Sequence, residues 1–341
     1  MTIRVLQVGL GPIGAAIARQ LATRKGFRIV AAVDVDPSKV GRDVGAVAEL
    51  DGPIRVKVTD DLRKAAKSAK PDIAVLCTSS SLKSVMPQLE ALMKLRLPVV
   101  STTEELAYPA PRNRRLAKQL DQMARKANVA ILATGVNPGF AMDALVLALT
   151  APCARVERVT VTRVVDAGTR RLPLQRKVGA GLNLAQFRRA MTEGTVRHVG
   201  LLESVHMIAA GLGWKLERVD ETLEPAIAPR DLDTEYLRIA AGAAAGIKQA
   251  ARGYRAGELA ISLDLQMYVA AESPRDHVLI DGVPPIDMTI AGGVAGDVAT
   301  AAIVVNVIPM MLAARPGLLT MLDLPMVHGF NPLELKSLGK R

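Results

Sequence analysis

Three glycines near the start of the chain, in Val8-Gly9-Leu10-Gly11-Pro12-Ile13-Gly14, constrain the fold more than any other feature. An apolar run, Ile3 to Val8, precedes them and reads as a buried strand. A segment with helical periodicity, Ile13 to Ala22, follows. A second apolar run, Ile29 to Val33, ends at Asp34, about 20 residues beyond the last glycine. Strand, tight glycine turn, helix, strand and acid make the full context of a dinucleotide-binding βαβ unit. Gly9 permits the turn, Gly11 lets a pyrophosphate approach the backbone, and Gly14 lets helix and strand pack closely. Pro12 and Ile13 open the helix, whose N-terminus offers N–H groups and a positive dipole end to phosphates.

Asp34 bears on which dinucleotide fits. A carboxylate there accepts hydrogen bonds from ribose hydroxyls and repels a 2′-phosphate, so NADH is the expected cofactor. Lys39 and Arg42 lie just downstream, and either could reach a 2′-phosphate, so NADPH is expected as an accepted alternative. Taken singly, each cation suits a solvated loop better.

Composition narrows the rest. The 341 residues suit two domains with sizeable cores. Two cysteines, Cys77 and Cys153, are too few for a disulfide framework and point to the reducing cytoplasm. Cys77 ends an apparent core strand and reads as a small buried hydrophobe. The longest apolar stretch, Ile290 to Ala314, is broken by Asp297, Asn306 and Pro309, so no membrane partner is expected. The net charge of +11 gathers at Arg112–Arg115, Arg170–Lys177 and Arg188–Arg189. No aromatic interleaving or recognised motif accompanies these clusters, and no nucleic-acid partner is expected. Solvated faces, or attraction of an anionic cofactor and substrate, explain them more simply. None of the four histidines has metal-ligand spacing to another ligand, so no metal is expected. No nucleophile-elbow or Walker sequence is present.

Strand and helix signals alternate through the first third: Ile73 to Cys77, Ser84 to Leu95, Pro98 to Ser101, Arg114 to Ala127 and Val129 to Ala133. After about Ala151 the pattern changes. Val156 to Val165 alternates, Leu184 to Ala190 and Leu201 to Leu212 read as helices, and Glu258 to Ala271, His277 to Ile280 and Ile286 to Ile290 read as strands. Asp297 to Ala313 and Pro316 to Leu322 read as a long and a short helix, too apolar to lie exposed. The expected fold is α/β: an N-terminal Rossmann doubly wound parallel sheet, plus a second α+β domain with an open, mixed, largely antiparallel sheet. The expected domains are 1–135 with 297–341, and 136–296. A homodimer is expected, since open sheets with one exposed apolar face commonly pair.

Ligands of doubly wound sheets bind at the carboxyl ends of the strands. That rule brings Thr78, Ser79, Ser80, Thr102, Glu104, Glu105 and the Asn137–Phe140 loop to one edge. Glu104, in Ser101-Thr102-Thr103-Glu104-Glu105-Leu106, is the candidate acid and base for proton steps. The same segment also matches two capping boxes, Ser101 with Glu104 and Thr102 with Glu105. The Thr78–Ser80 hydroxyls suit cofactor ribose or phosphate, or a helix cap. Asn137 suits a carboxamide and Phe140 the substrate, or both belong to an ordinary Pro-Gly turn.

Several stretches carry a resemblance: Asp34-Val35-Asp36-Pro37, Ser101 to Leu106, Asn137-Pro138-Gly139-Phe140-Ala141-Met142-Asp143, Arg170-Arg171-Leu172-Pro173-Leu174-Gln175, and Gly296-Asp297-Val298-Ala299-Thr300-Ala301-Ala302. Together they resemble the dihydrodipicolinate-reductase-like dehydrogenases that include 2,4-diaminopentanoate dehydrogenase and the native amine dehydrogenases. The resemblance implies reversible, NAD(P)H-dependent reductive amination of a small aliphatic ketone or aldehyde with ammonia. It implies Glu104 as the acid/base, and cofactor contacts at Gly9, Gly11, Pro12, Ile13, Gly14, Asp34, the Thr78–Ser80 turn and Asn137. It implies a substrate pocket of Phe140, Arg163, His198 and Thr300. A rival within the group acts on a carboxylate-bearing substrate and needs a fixed cation. Arg163 would supply it, and Arg163→Met would then abolish activity on carboxylated substrates only. A rival of another class is a non-catalytic NAD(H)-sensing protein. The His-His pair and lysine motif of dihydrodipicolinate reductase itself, and the E-K-P motif of sugar-type oxidoreductases, are both missing.

Overall fold

Seven parallel strands organise the first unit, six from the N-terminal part of the chain and one from near its end. The computed structural model describes residues 2–109 and 113–330. In chain order, β1 (Ile3–Val8), α1 (Pro12–Thr23), β2 (Phe27–Val33), α2 (Val44–Val47), β3 (Val58–Thr59), α3 (Leu62–Ala69), β4 (Ile73–Leu76) and α4 (Leu82–Lys94) alternate. Next come β5 (Val99–Ser101), α5 (Glu104–Ala107), α6 (Arg114–Ala127) and β6 (Ala130–Ala133). Strands β4, β5 and β6 are buried along their whole length, as two-faced burial in a parallel sheet demands.

The chain then builds a second unit. It contains α7 (Ala144–Leu149), β7 (Arg155–Asp166), α8 (Leu172–Lys177), α9 (Leu184–Thr192), α10 (Leu201–Gly211) and β8 (Arg218–Ile227). A two-residue ribbon of β9 (Leu232–Asp233) and β10 (Arg238–Ile239) precedes β11 (Ala244–Arg255), β12 (Glu258–Tyr268), β13 (Arg275–Val283) and β14 (Ile286–Ala291). Finally α11 (Gly296–Leu312) and β15 (Gly317–Leu319) return to the first unit. By contacts, residues up to Phe140 and from Ala295 form one unit, and Ala141–Val294 the other.

The first sheet has the order β15-β6-β5-β4-β1-β2-β3, all parallel. This is the doubly wound arrangement, and its order reverses between β1 and β4. Helix α11 is apolar almost all round, and buries Ile303, Val304, Val305, Val307 and Ile308. A helix of that kind belongs inside a protein, and α11 packs on α1, β5 and β6. Pro316 to Leu322, expected as a short helix, is instead β15 followed by a single 3₁₀ turn at Met321–Asp323. Gly317, at φ +133°, takes a conformation open mainly to glycine, and Leu318 and Leu319 then pair with Ile131 and Leu132 at the sheet edge.

The second sheet has the order β14-β13-β7-β12-β11-β8, with β7 and β12 parallel and the remaining pairs antiparallel. Its core gathers Val159, Val161, Ile261 and Leu263 from the strands with Phe187, Leu201, Val205 and Ile208 from the helices. Thr160, Thr162, Asp264 and His277 alternate onto the opposite face, outside that core. The observed fold class is the expected one.

Candidate functional site

The carboxyl ends of β1, β2 and β4 surround a cavity of about 450 Å³ at the point where the strand order reverses. Among its walls are Gly9, Gly11, Asp34, Lys39, Thr78 and Ser79, which the sequence places there. Val35, Cys77, Ser84 and Gln88 also line it; the sequence reading gave none of them a place in the site and took Cys77 for a buried hydrophobe. Ser84 and Gln88 are four residues apart on α4 and so share one face of that helix. That spacing is the signal that would have found them.

The glycine loop has three different constraints. Gly9 sits at φ +88°, and a Cβ there would meet the Cys77 carbonyl oxygen at 2.5 Å. A Cβ on Gly14 would overlap the Gly9 carbonyl oxygen. Gly11, by contrast, has nothing within 4 Å of its would-be Cβ, so its backbone is open to a ligand. Gly11 is also the N-cap of α1, and no side chain caps that helix; Pro12 and Ile13 begin it. An uncapped helix start beside an open glycine fits a pyrophosphate. Below the loop, the fully buried Gln7 donates from Nε2 to the Gly9 carbonyl at 2.9 Å.

Asp34 closes the far side. One of its oxygens accepts the Leu10 N–H at 2.7 Å and lies 3.4 Å from the Lys39 ammonium; the other accepts the Asp36 N–H at 2.9 Å. Lys39 also pairs with Asp36 at 3.2 Å. Burial lowers the Lys39 pKa, but Asp36 and Asp34 outweigh it and hold the ammonium above its ordinary value. The Ser38 hydroxyl and amide, then Lys39, hold Asp36 below the usual carboxylate range. Arg42, expected to reach a 2′-phosphate, is exposed, turns to the Ser38 carbonyl at 3.4 Å and forms no part of the cavity wall.

At the end of β4, the Thr78 hydroxyl donates to Gln88 Oε1 at 2.6 Å, and Ser79 Oγ accepts the Ser81 N–H at 3.1 Å. Cys77 is a cavity-wall residue rather than a closed-off hydrophobe. Burial pushes its thiol up to about 11, although the side chains of Thr102 and Gln7 hydrogen-bond to it.

The Ser101–Leu106 segment contains neither expected capping box. Thr103 is the N-cap of α5 and makes no side-chain cap bond. The Ser101 hydroxyl sits 3.0 Å from the Leu76 carbonyl and 2.9 Å from Thr103 Oγ1, which itself donates to the Ser79 carbonyl at 2.8 Å. The Thr102 N–H is bonded to the Leu76 carbonyl at 3.1 Å, and Thr102 is half-buried outside the cavity wall. The Glu105 N–H bonds the Ser80 carbonyl at 3.2 Å, and its carboxylate accepts the Leu82 N–H at 2.9 Å. These bonds place Glu104, half-buried on α5, at the carboxyl edge beside the Thr78–Ser80 turn.

Beyond β6, Gly139 at φ +123° brings its backbone against Thr134 and Gly135; a Cβ there would meet Thr134 Oγ1 at 2.5 Å. Asn137 is buried and Phe140 half-buried in this loop. Thr300, on α11, packs on Gly135 and accepts the Val136 N–H at 3.1 Å. In the second unit, Asp143 is fully buried and accepts the Ser204 hydroxyl at 2.7 Å, tying α7 to α10. His198 is half-buried, and its backbone is clasped by both side-chain atoms of Gln249, at 2.9 Å each. Arg163, expected to offer a cation to substrate, is turned to protein instead. Its guanidinium contacts both Asp276 oxygens at 2.6 Å and the Val294 carbonyl at 2.7 Å, with 4% of the side chain exposed. A guanidinium buried on a carboxylate satisfies the charge that a substrate would otherwise meet.

Two family models match the chain: the dihydrodipicolinate reductase N-terminus over residues 3–134, and the 2,4-diaminopentanoate dehydrogenase C-terminal domain over residues 140–336. A 2,4-diaminopentanoate dehydrogenase from Acetoanaerobium sticklandii is 32% identical over 329 residues, spanning 95% of this chain and 93% of its own length. This chain belongs to the 2,4-diaminopentanoate dehydrogenase family. An amine dehydrogenase from Streptomyces virginiae is 23% identical across 96% of this chain and 98% of its own. Among solved structures, an amine dehydrogenase from Mycobacterium smegmatis has the same fold, with a TM-score of 0.86 at 24% identity, covering 97% of this chain and 98% of that one. Membership of the 2,4-diaminopentanoate dehydrogenase family makes the chain an oxidoreductase of the class acting on amines. Among the described residues no helix is long and apolar enough to cross a membrane.

Proposed function

We propose that this chain catalyses the reversible reductive amination of a small aliphatic ketone or aldehyde with ammonia, using NADH in preference to NADPH, with Glu104 as acid and base. The observation that carries the reading is the single carboxyl edge shared by the open Gly9–Gly11 loop, Asp34, the Thr78–Ser80 turn and the α5 turn bearing Glu104. A bound nicotinamide supplies the hydride that ends on the substrate carbon. The protein's own part lies in the proton steps. As ammonia adds to the carbonyl, the carboxylate of Glu104 takes a proton from nitrogen. It passes that proton to the oxygen, giving a carbinolamine hydroxyl; protonated again from solvent, it gives the hydroxyl a second proton, and water leaves with an iminium behind. A positioned carboxyl group typically contributes about 10²–10⁴-fold to such transfers.

Asp34 suits ribose hydroxyls, which supports NADH, while Lys39 beside it gives a 2′-phosphate one partner. The face of the second sheet outside its core, with the half-buried Thr160, Thr162, Asp264 and His277, is the surface assigned to a homodimer. The unpaired Cys77 and Cys153 suit the cytoplasm. A second reading, a carboxylate-bearing substrate, has the named relative in its favour. The engagement of Arg163 with Asp276 weighs against the cation that this reading needs.

The test is NADH oxidation at alkaline pH with excess ammonium and a panel of cyclohexanone, pentanal and 4-oxopentanoate. Ammonium-dependent turnover that falls at least about 100-fold in Glu104→Ala is the expected result. Turnover without ammonium would indicate an alcohol-type oxidoreductase. NADH binding with no turnover would favour a sensor.

A further inference from the structure

We propose that Glu105 is a positioning residue, which caps α4 from outside that helix and thereby fixes the α5 turn that presents Glu104. The inference rests on Glu104 being the acid/base. Helix α4 starts at Leu82 after Ser81, and the Ser81 side chain makes no capping bond. A residue 23 positions later does so instead: Glu105 Oε2 accepts the Leu82 N–H at 2.9 Å. The Glu105 N–H returns to the Ser80 carbonyl at 3.2 Å, so one residue grips both sides of the start of α4.

The α5 turn has only four residues, Glu104–Ala107, and its N-cap Thr103 gives it no side-chain cap. A single helical turn has no stability of its own, because nucleation costs more than one hydrogen bond returns. Its placement comes from outside. Leu106 and Ala107 are buried beneath it, while Thr103 and Glu105 bond to the 79–82 segment. Consecutive helical side chains point in different directions, so Glu104 and Glu105 cannot serve the same target. The adjacent acids divide the work: Glu105 holds the turn and Glu104 handles protons.

The experiment compares E105Q, E105A, S81D/E105A and E104Q in the full chain. It reads kcat for ammonium-dependent NADH oxidation at saturating cofactor, the NADH Kd by fluorescence quenching, and Tm. S81D supplies a side-chain cap to α4 at its own N-cap position, and with E105A it conserves the local charge. E105Q keeps an oxygen acceptor and retains most of the wild-type kcat. S81D/E105A recovers the Tm lost in E105A and binds NADH as the wild type does, yet its kcat stays about ten- to a hundredfold low, as misplacement of a catalytic group predicts. Full kcat in S81D/E105A, with E104Q inactive, would overturn the positioning role and leave Glu104 standing. Full kcat in E104Q would overturn both. Should E105A alone fail to fold, E105Q against S81D/E105A makes the same comparison.

Discussion

The carboxylate at the end of β2 and the ammonium five residues later oppose each other at the cavity rim. Lys39 is paired to both Asp34 and Asp36, and under the proposed NADH preference Asp34 would repel a 2′-phosphate while Lys39 would attract one. Lys39→Met removes that cation and frees an oxygen of Asp34. We expect the NADH-to-NADPH ratio of kcat/KM to rise about tenfold, equivalent to ~1.4 kcal/mol, measured in parallel assays with the two cofactors. An unchanged ratio would place the discrimination elsewhere. The sequence made the glycines and Asp34 legible because their chemistry depends on short, fixed spacings along the chain. It could not separate Lys39 from Arg42, since both lie on one loop and only its path decides which reaches the cavity. The ion pair of Arg163 was not legible for a related reason. Its partner Asp276 is 113 residues away, and nothing local announces the pair.

The turn from β1 into α1 is held from below as well as by its glycines. Gln7 is wholly buried in β1 and its amide supports the Gly9 carbonyl. Gln7→Leu removes that donor and leaves a buried carbonyl with one bond fewer, a loss of about 1–3 kcal/mol. The expected outcome is a KM for NADH raised tenfold or more, with kcat retained at saturating cofactor. An unchanged KM would show that the glycines alone fix the loop. Strands with apolar continuity, such as β1 and β4, were readable from pattern alone. β8 and β11 were not. β8 is an edge strand carrying charges on both faces and Pro225, which only an edge tolerates. β11 is rich in alanine and glycine, and takes its strand form from pairing with β8 and β12 on either side.

Within the second unit, the ion pair of Arg163 and Asp276 belongs to stability. Together the two side chains hold both backbone groups of Val294, the last residue of the second unit: Arg163 donates to its carbonyl, and Asp276 accepts its N–H at 2.8 Å. Arg163→Met leaves a carboxylate buried without its cation, which costs about 3–5 kcal/mol. Urea denaturation should show that loss, together with activity reduced on every substrate of the panel. Undiminished stability, with activity lost on 4-oxopentanoate alone, would restore a substrate role.

The first unit takes its edge strand and one of its most apolar helices from residues that come after the whole second unit. On the ribosome, β6 therefore emerges with no partner on its outer side, and α1 with no α11 to cover it. Synthesis at about 5–20 residues per second leaves that surface waiting for some tens of seconds. The newborn chain thus has a built-in interval in which its dinucleotide unit is sticky and unfinished. In a truncation series, expression without the last fifty residues should yield a product that chaperones retain, even though every glycine of the cofactor loop is already present.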